Sequence, residues 1–189
     1  MEELIAKFSI EKIQPSPAMA NLERLDWLNG QFIRRLSTDE LATRLASRMP
    51  GASPQALAPL VPLVRERLRT LNEAPDMLRF FFEEPDSYRP EQLTPKGRDA
   101  TAAAAALKTA AATLNELSEW TPELVEPALR GLAERIGWSS RDLFMVLRVA
   151  ITGRTVTPPL IESMSRLGKD RVLARLERAA RALADPLRR

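Results

Sequence analysis

The 189-residue sequence contains no cysteine and no histidine. Without cysteine neither a disulfide framework nor a thiolate metal site can form. Without histidine, imidazole base catalysis, Ser-His-Asp nucleophiles and the commonest zinc ligand are all excluded. Glycine is scarce, with 7 residues, and no Gly-rich phosphate loop is present. No long apolar run occurs either. Residues 100–112 (ATAAAAALKTAAA) are weakly hydrophobic and interrupted by Lys108, so no membrane span is expected. Residues 1–10 start acidic and lack the apolar stretch of a secretory signal peptide, which points to a cytoplasmic protein. No nucleophile has a base nearby in sequence, and no carboxylate pair stands out from ordinary helix surface. The expected number of catalytic residues and of metal ligands is therefore none.

What is present favours helix. Apolar residues make up 44% and charged residues 28%, a globular balance, and the plentiful alanine and leucine lose little side-chain freedom in a helix. Residues 7–21 hold two prolines and no sustained period, and read as an extended lead-in. In residues 22–36 (LERLDWLNGQFIRRL), Leu22, Leu25, Leu28, Phe32, Ile33 and Leu36 recur at helical spacing, with Gly30 marking a bend or a close approach by another backbone. Ser37-Thr38-Asp39-Glu40 is a capping box for a short helix to about residue 48. Ser53-Pro54 opens a further segment, in which Pro59 and Pro62 delay regular helix until about Pro62. A short helix over 76–83 ends in three phenylalanines, and 84–95, with three prolines, reads as a junction. Four helices follow, near 96–118, 121–136, 139–152 and 158–184, the last broken at Gly168. The expected fold is all-α, in two small helical bundles.

Charge is unevenly distributed. Residues 1–129 hold 15 Lys and Arg against 19 Asp and Glu, whereas residues 130–189 hold 13 against 6, twelve of the thirteen being arginine. Arginine's planar fork suits phosphates and base edges, so this third is a candidate nucleic-acid footprint. Arg171, Arg175 and Arg178 stack on one helix face at i, i+4 and i+7, either as a solvated surface or as phosphate contacts. Arg148 lies on a helix apolar nearly all round, so it must pair, with Asp142 or Glu162, or face a cleft. Arg65, Arg67 and Arg69 fall within five residues; in a helix Arg65 and Arg69 would share a face, with Glu66 paired to Arg69. Glu83, Glu84 and Asp86 read as a solvated turn, and Thr157-Pro158 as a helix start whose free N–H groups suit an anion or base edge.

Residues 147–176 (LRVAITGRTVTPPLIESMSRLGKDRVLARL) resemble the closing motif of bacterial glutamyl-tRNA synthetases, with its Thr-Gly, Pro-Pro-Leu and Leu-Gly-Lys. Residues 22–34 (LERLDWLNGQFIR) are similar to that family's Trp-Leu/Met-Asn-Gly helix, and residues 7–18 (KFSIEKIQPSPA) to the Phe-Ser-Leu-Glu stretch before it. The resemblance runs from about Lys7 to the end. It implies a C-terminal portion that begins downstream of the catalytic domain, whose His-Ile-Gly-His and Lys-Met-Ser-Lys-Ser-type signatures are not in this sequence. Residues 1–36 would be the end of a stem-contact region, 37–89 a first helical anticodon-binding unit and 90–189 a second, of the α-helix-cage type.

The implied partner is tRNA(Glu), chiefly its anticodon arm, with no membrane and a monomeric chain. No cofactor is implied for this portion, since ATP and magnesium belong to the catalytic domain. By matching position, Trp27 and Asn29 approach the tRNA, and Arg67 lies near the third anticodon base, where arginine marks members that accept only tRNA for glutamate. Arg148, Thr157, Pro158 and Leu160 contact anticodon bases, while Pro159 and Ile161 depart from the more common Gly and Phe. Arg171, Arg175 and Arg178 would add phosphate attraction, so Arg175→Ala is expected to weaken all tRNAs alike. A synthetase-derived helical module that binds a protein, and a general basic nucleic-acid binder, are the rival readings.

Overall fold

A computed structural model describes residues 2–12, 21–85 and 87–184, and every regular element among them is helical. None of these helices is long and apolar enough to cross a membrane. The lead-in holds α1 (Glu2–Lys7) and a 3-10 turn at Ile10–Lys12; the remainder of it, through residue 20, lies outside the described residues.

α2 (Leu22–Arg35) starts where the Asn21 side chain accepts the Arg24 N–H. It runs unbroken through Gly30, which is there for close approach and not for a bend. A Cβ at that position would stand 3.4 Å from the Leu68 carbonyl oxygen. Only Gly30 and Ile33 of α2 are buried; the stripe Leu22, Leu25, Leu28 and Phe32 stays exposed. α3 (Thr38–Ala46) begins at the expected capping box. Ser37 Oγ accepts the Glu40 N–H at 3.2 Å, and Glu40 returns the bond to the Ser37 N–H at 2.9 Å.

Residues 54–64 depart from expectation. The helical path already begins at Ser53-Pro54, as α4 (Pro54–Leu57), a 3-10 turn (Ala58–Leu60) and α5 (Val61–Val64), and then stops. Each proline lacks an N–H but keeps a helical φ, so the prolines segment the path without delaying its start. Arg65, Arg67 and Arg69 therefore sit on a loop, and the shared helix face expected for Arg65 and Arg69 does not exist. A 3-10 turn (Leu71–Glu73), α6 (Ala74–Leu78) and a second 3-10 turn (Arg79–Phe81) complete this group, with Phe80 and Phe81 buried and their rings 4.2 Å apart.

After α7 (Pro90–Leu93), the second group is built on α8 (Ala100–Asn115) and α12 (Lys169–Ala184), which pack along their lengths. Many of their buried residues are small: Ala103, Ala106, Ala110 and Ala111 on α8, and Ala179 and Ala180 on α12. Small side chains let backbones approach closely, and leucines at 107, 114, 176 and 183 are buried with them. Each such leucine contributes about 1.5–3 kcal/mol by burial. Lys169 donates to the Asn115 and Leu117 carbonyls at 2.8 and 3.0 Å, a cation on the negative end of α8. α9 (Pro122–Arg135), α10 (Ser140–Thr152) and α11 (Leu160–Leu167) close the group; α10 ends at Gly153 with φ 72°, and Gly168 breaks the last two helices at φ 85°.

Candidate nucleic-acid interface

Asp99 and Ser139 cap α8 and α10, and the apolar residues of α10 fix its rotation so that Arg148 lies half-buried at one edge. The carboxylates expected beside it are elsewhere: Asp142 accepts from the Ser139 hydroxyl, and Glu162 points to solvent. Arg148 instead donates through Nη1 to Thr157 Oγ1 at 2.5 Å and to the Pro158 carbonyl at 3.0 Å. Among the described residues its charge has no carboxylate counter-ion. Burial lowers the Arg148 pKa, and the nearby Arg67 charge lowers it further. The two guanidinium charges, carried by different helix groups, are thus within electrostatic reach of one another.

The loop carrying Arg67 is held at several points. Leu68 is buried beneath it, the Asn29 amide donates to the Arg69 carbonyl at 2.5 Å, and Arg34 Nε binds Glu66 at 2.9 Å. Arg65 donates to the Thr38 hydroxyl, and Arg69 is paired with Glu73 at 2.8 Å, so the Glu66–Arg69 pair expected from spacing is replaced by two others. Arg67 alone of the three makes no side-chain hydrogen bond or ion pair among the described residues, and it is exposed.

The other candidate positions divide. Trp27 is 60% exposed. Asn29 faces the Arg67 loop, where it acts as an anchor. Thr157 and Pro158 are brought to Arg148, and they and Leu160 are buried. The helix expected to open at Thr157-Pro158 starts only at Leu160, after Pro159, because the Thr157 hydroxyl and the Pro158 carbonyl are engaged with Arg148 and with each other.

The phosphate expectation for the α12 arginines needs correction. Arg175 is 1% exposed and fully occupied. Its Nη1 donates to the Ile151 carbonyl at 2.7 Å, its Nη2 to those of Phe80 and Glu83 at 2.8 and 3.0 Å, and its Nε and Nη2 to Glu84. Arg171 and Arg178 also converge on Glu84, at 3.2 and 3.1 Å. Arg175 is thus neither solvated nor offered to phosphate, while Arg171 and Arg178 lie against residues 80–85 and stay partly exposed. Glu84, expected on a bare acidic turn, is instead the common acceptor for three guanidinium groups. Hydrogen bonds from Arg175, above all, lower its pKa to about 2. Tyr88 donates to the Ala150 carbonyl at 2.9 Å, and Arg154 pairs with Asp76 at 2.8 Å. Asp86 lies outside the described residues. The signal in sequence was complementarity: an acidic pair in a chain with three arginines stacked on one helix face.

The profile of the family described as the anticodon binding domain matches residues 32–180. The chain belongs to this family. Its curated relatives include the glutamate–tRNA ligases of Roseiflexus castenholzii, 44% identical over 97% of this chain, and Chloroflexus aurantiacus, 42% identical over 96%. The chain spans only 38% and 39% of the lengths of those relatives, and the match corresponds to a C-terminal portion of them. In fold it is similar to a glutamate tRNA ligase from Elizabethkingia meningosepticum, with a TM-score of 0.76 at 22% identity, covering 96% of this chain and 36% of that one. A glutamate–tRNA synthetase from Elizabethkingia anophelis gives 0.73 at 21% identity, covering 95% and 36%. The all-α architecture is shared with these structures.

Proposed function

We propose that this chain is the anticodon-reading portion of a glutamate–tRNA ligase, with Arg67 and Arg148 donating to base edges in the anticodon arm of tRNA(Glu). One observation carries the reading. A half-buried arginine without a carboxylate lies within electrostatic reach of a second, unpaired arginine on another helix group. Such a pair is unfavourable alone and is relieved by an electron-rich ligand placed between its members. Arginine forks match base edges, and sequence-specific RNA reading uses single-stranded loops whose bases can be splayed out. Thr157 and Pro158 orient Arg148 from behind, Leu160 is buried at the start of α11 just after them, and the exposed Trp27 indole offers a stacking surface. Arg171 and Arg178, each shared with Glu84, keep only their solvent-facing edges for phosphate. Residues 1–36, 37–89 and 90–189 correspond in this reading to the end of a stem-contact region and two anticodon-binding units.

Attachment of glutamate, with its ATP and magnesium, belongs to a catalytic domain that this sequence does not contain. This portion needs no cofactor and acts as a cytoplasmic monomer. The exposed α2 stripe is the observation that favours a protein-binding module instead. A titration at fixed salt separates the two, with tRNA(Glu) and the same tRNA carrying a changed anticodon. The native anticodon should bind more tightly, and Arg148→Ala should cost about 1–3 kcal/mol and erase the preference. Equal binding of both tRNAs overturns base reading, and no binding favours the protein-binding module.

A further inference from the structure

Among the described residues, every hydrogen bond and ion pair between residues 37–85 and 90–184 comes from one of four arginines: Arg154, Arg171, Arg175 or Arg178. Arg67 stands on one side of that junction and Arg148 on the other. These four side chains are therefore the polar ties that hold the two sides together, beside the apolar core they share.

Arg175 is central to this set. Its single buried guanidinium grips the Ile151 carbonyl, three residues beyond Arg148 on α10, and the Phe80 and Glu83 carbonyls on the far side. Those carbonyls lie at the end of the stretch that starts from the Arg67 loop, and that loop is fixed to α2 and to Glu73. A Cβ on Gly153, at the end of α10, would stand 3.3 Å from Pro85, so the two stretches leave little room for a side chain there. Glu84 makes the arrangement possible, because it neutralises the guanidinium of Arg175 and moderates the repulsion of Arg171 and Arg178 beside it. Without its charge, three cations share one junction with no counter-ion, and they separate.

We propose that Glu84 and Arg175 are positioning residues for anticodon reading: they fix the separation of Arg67 and Arg148 and so set base preference without touching the tRNA. This inference rests on the reading given under Proposed function. A residue that acts through geometry should change discrimination more than binding, because a general electrostatic attraction survives small displacements while base-edge hydrogen bonds do not.

The test uses the whole 189-residue chain. Because it has no cysteine, Arg48→Cys with Glu134→Cys places two spin labels on exposed positions either side of the junction, and their distance distribution can be measured by pulsed electron resonance. Glu84→Gln keeps the side chain's size and removes its charge. The expected result is a broadened or shifted distance distribution and a fall of about tenfold in preference for the native anticodon, with nearly unchanged binding of the anticodon-changed tRNA. Glu84→Asp, which retains the charge, should recover part of that preference. If Arg148→Ala abolishes the preference while Glu84→Gln retains it, the positioning role is overturned and the reading stands. If Arg148→Ala leaves the preference intact, the reading falls and the positioning role with it. Should Glu84→Gln fail to fold by circular dichroism, Glu84→Asp decides: a preference reduced but not lost in a folded chain supports the role, and a preference equal to that of the unsubstituted chain overturns it.

Discussion

At the scale of single residues, the arginines show how little a residue type says about its use. Arg175 and Arg148 occupy similar helical positions and both come from the basic end of the sequence, yet one is sealed and the other open. Arg175→Ala removes the donor for three backbone carbonyls and leaves Glu84 with two partners. It should lower unfolding stability by about 3 kcal/mol or more, since each buried carbonyl left without its donor costs about 1–3 kcal/mol, measured by urea titration. Arg148→Ala should alter stability by less than half as much, because its partners are neutral oxygens within one segment. Part of this was legible in advance. That Arg148 had to pair or face a cleft followed from the apolar residues around it. That Arg175 was buried did not follow, because the elements covering it lie some 90 residues earlier, and helical period says only which residues share a face. Among Arg65, Arg67 and Arg69, only the partners chosen in three dimensions single out Arg67.

At the scale of elements, local chemistry predicts starts and stops better than paths. The Ser37–Glu40 capping box and the Gly168 break were both readable, because caps depend on residues within one turn. Ser37→Ala should reduce stability by about 0.5–2 kcal/mol without altering tRNA preference, seen as a lower urea midpoint at unchanged slope. Residues 54–64 were misread because three prolines can be strung through a helical path once each occupies an early position in its own short piece. Pro127 is different: it sits exposed inside α9, where it removes one hydrogen bond. Pro127→Ala should raise stability by about 1–3 kcal/mol, read as a higher melting temperature.

At the scale of the molecule, stability and acidity are linked through the junction. Glu84 has its pKa lowered from 4.5 to about 2, and its carboxylate contributes stability only where it is ionised in the folded state. A depressed carboxylate contributes in full above its unfolded pKa, so this contribution should fade as pH drops from about 4.5 towards 2. Glu84→Gln should flatten the loss of stability across that window, measured by thermal unfolding at successive pH values. Glu40, held low by the Ser37 N–H, will leave a residual slope. The helical class was evident from composition, since alanine and leucine dominate and glycine is rare. The convergence of distant arginines on one acid was not, because sequence carries charge but not the distance over which it acts. That convergence also constrains how the protein can change over generations. Loss of the acid at position 84 strands a buried cation, and loss of the cation at position 175 strands three carbonyls. Descendants must alter both positions together or neither, so this junction should drift more slowly than the surface around it.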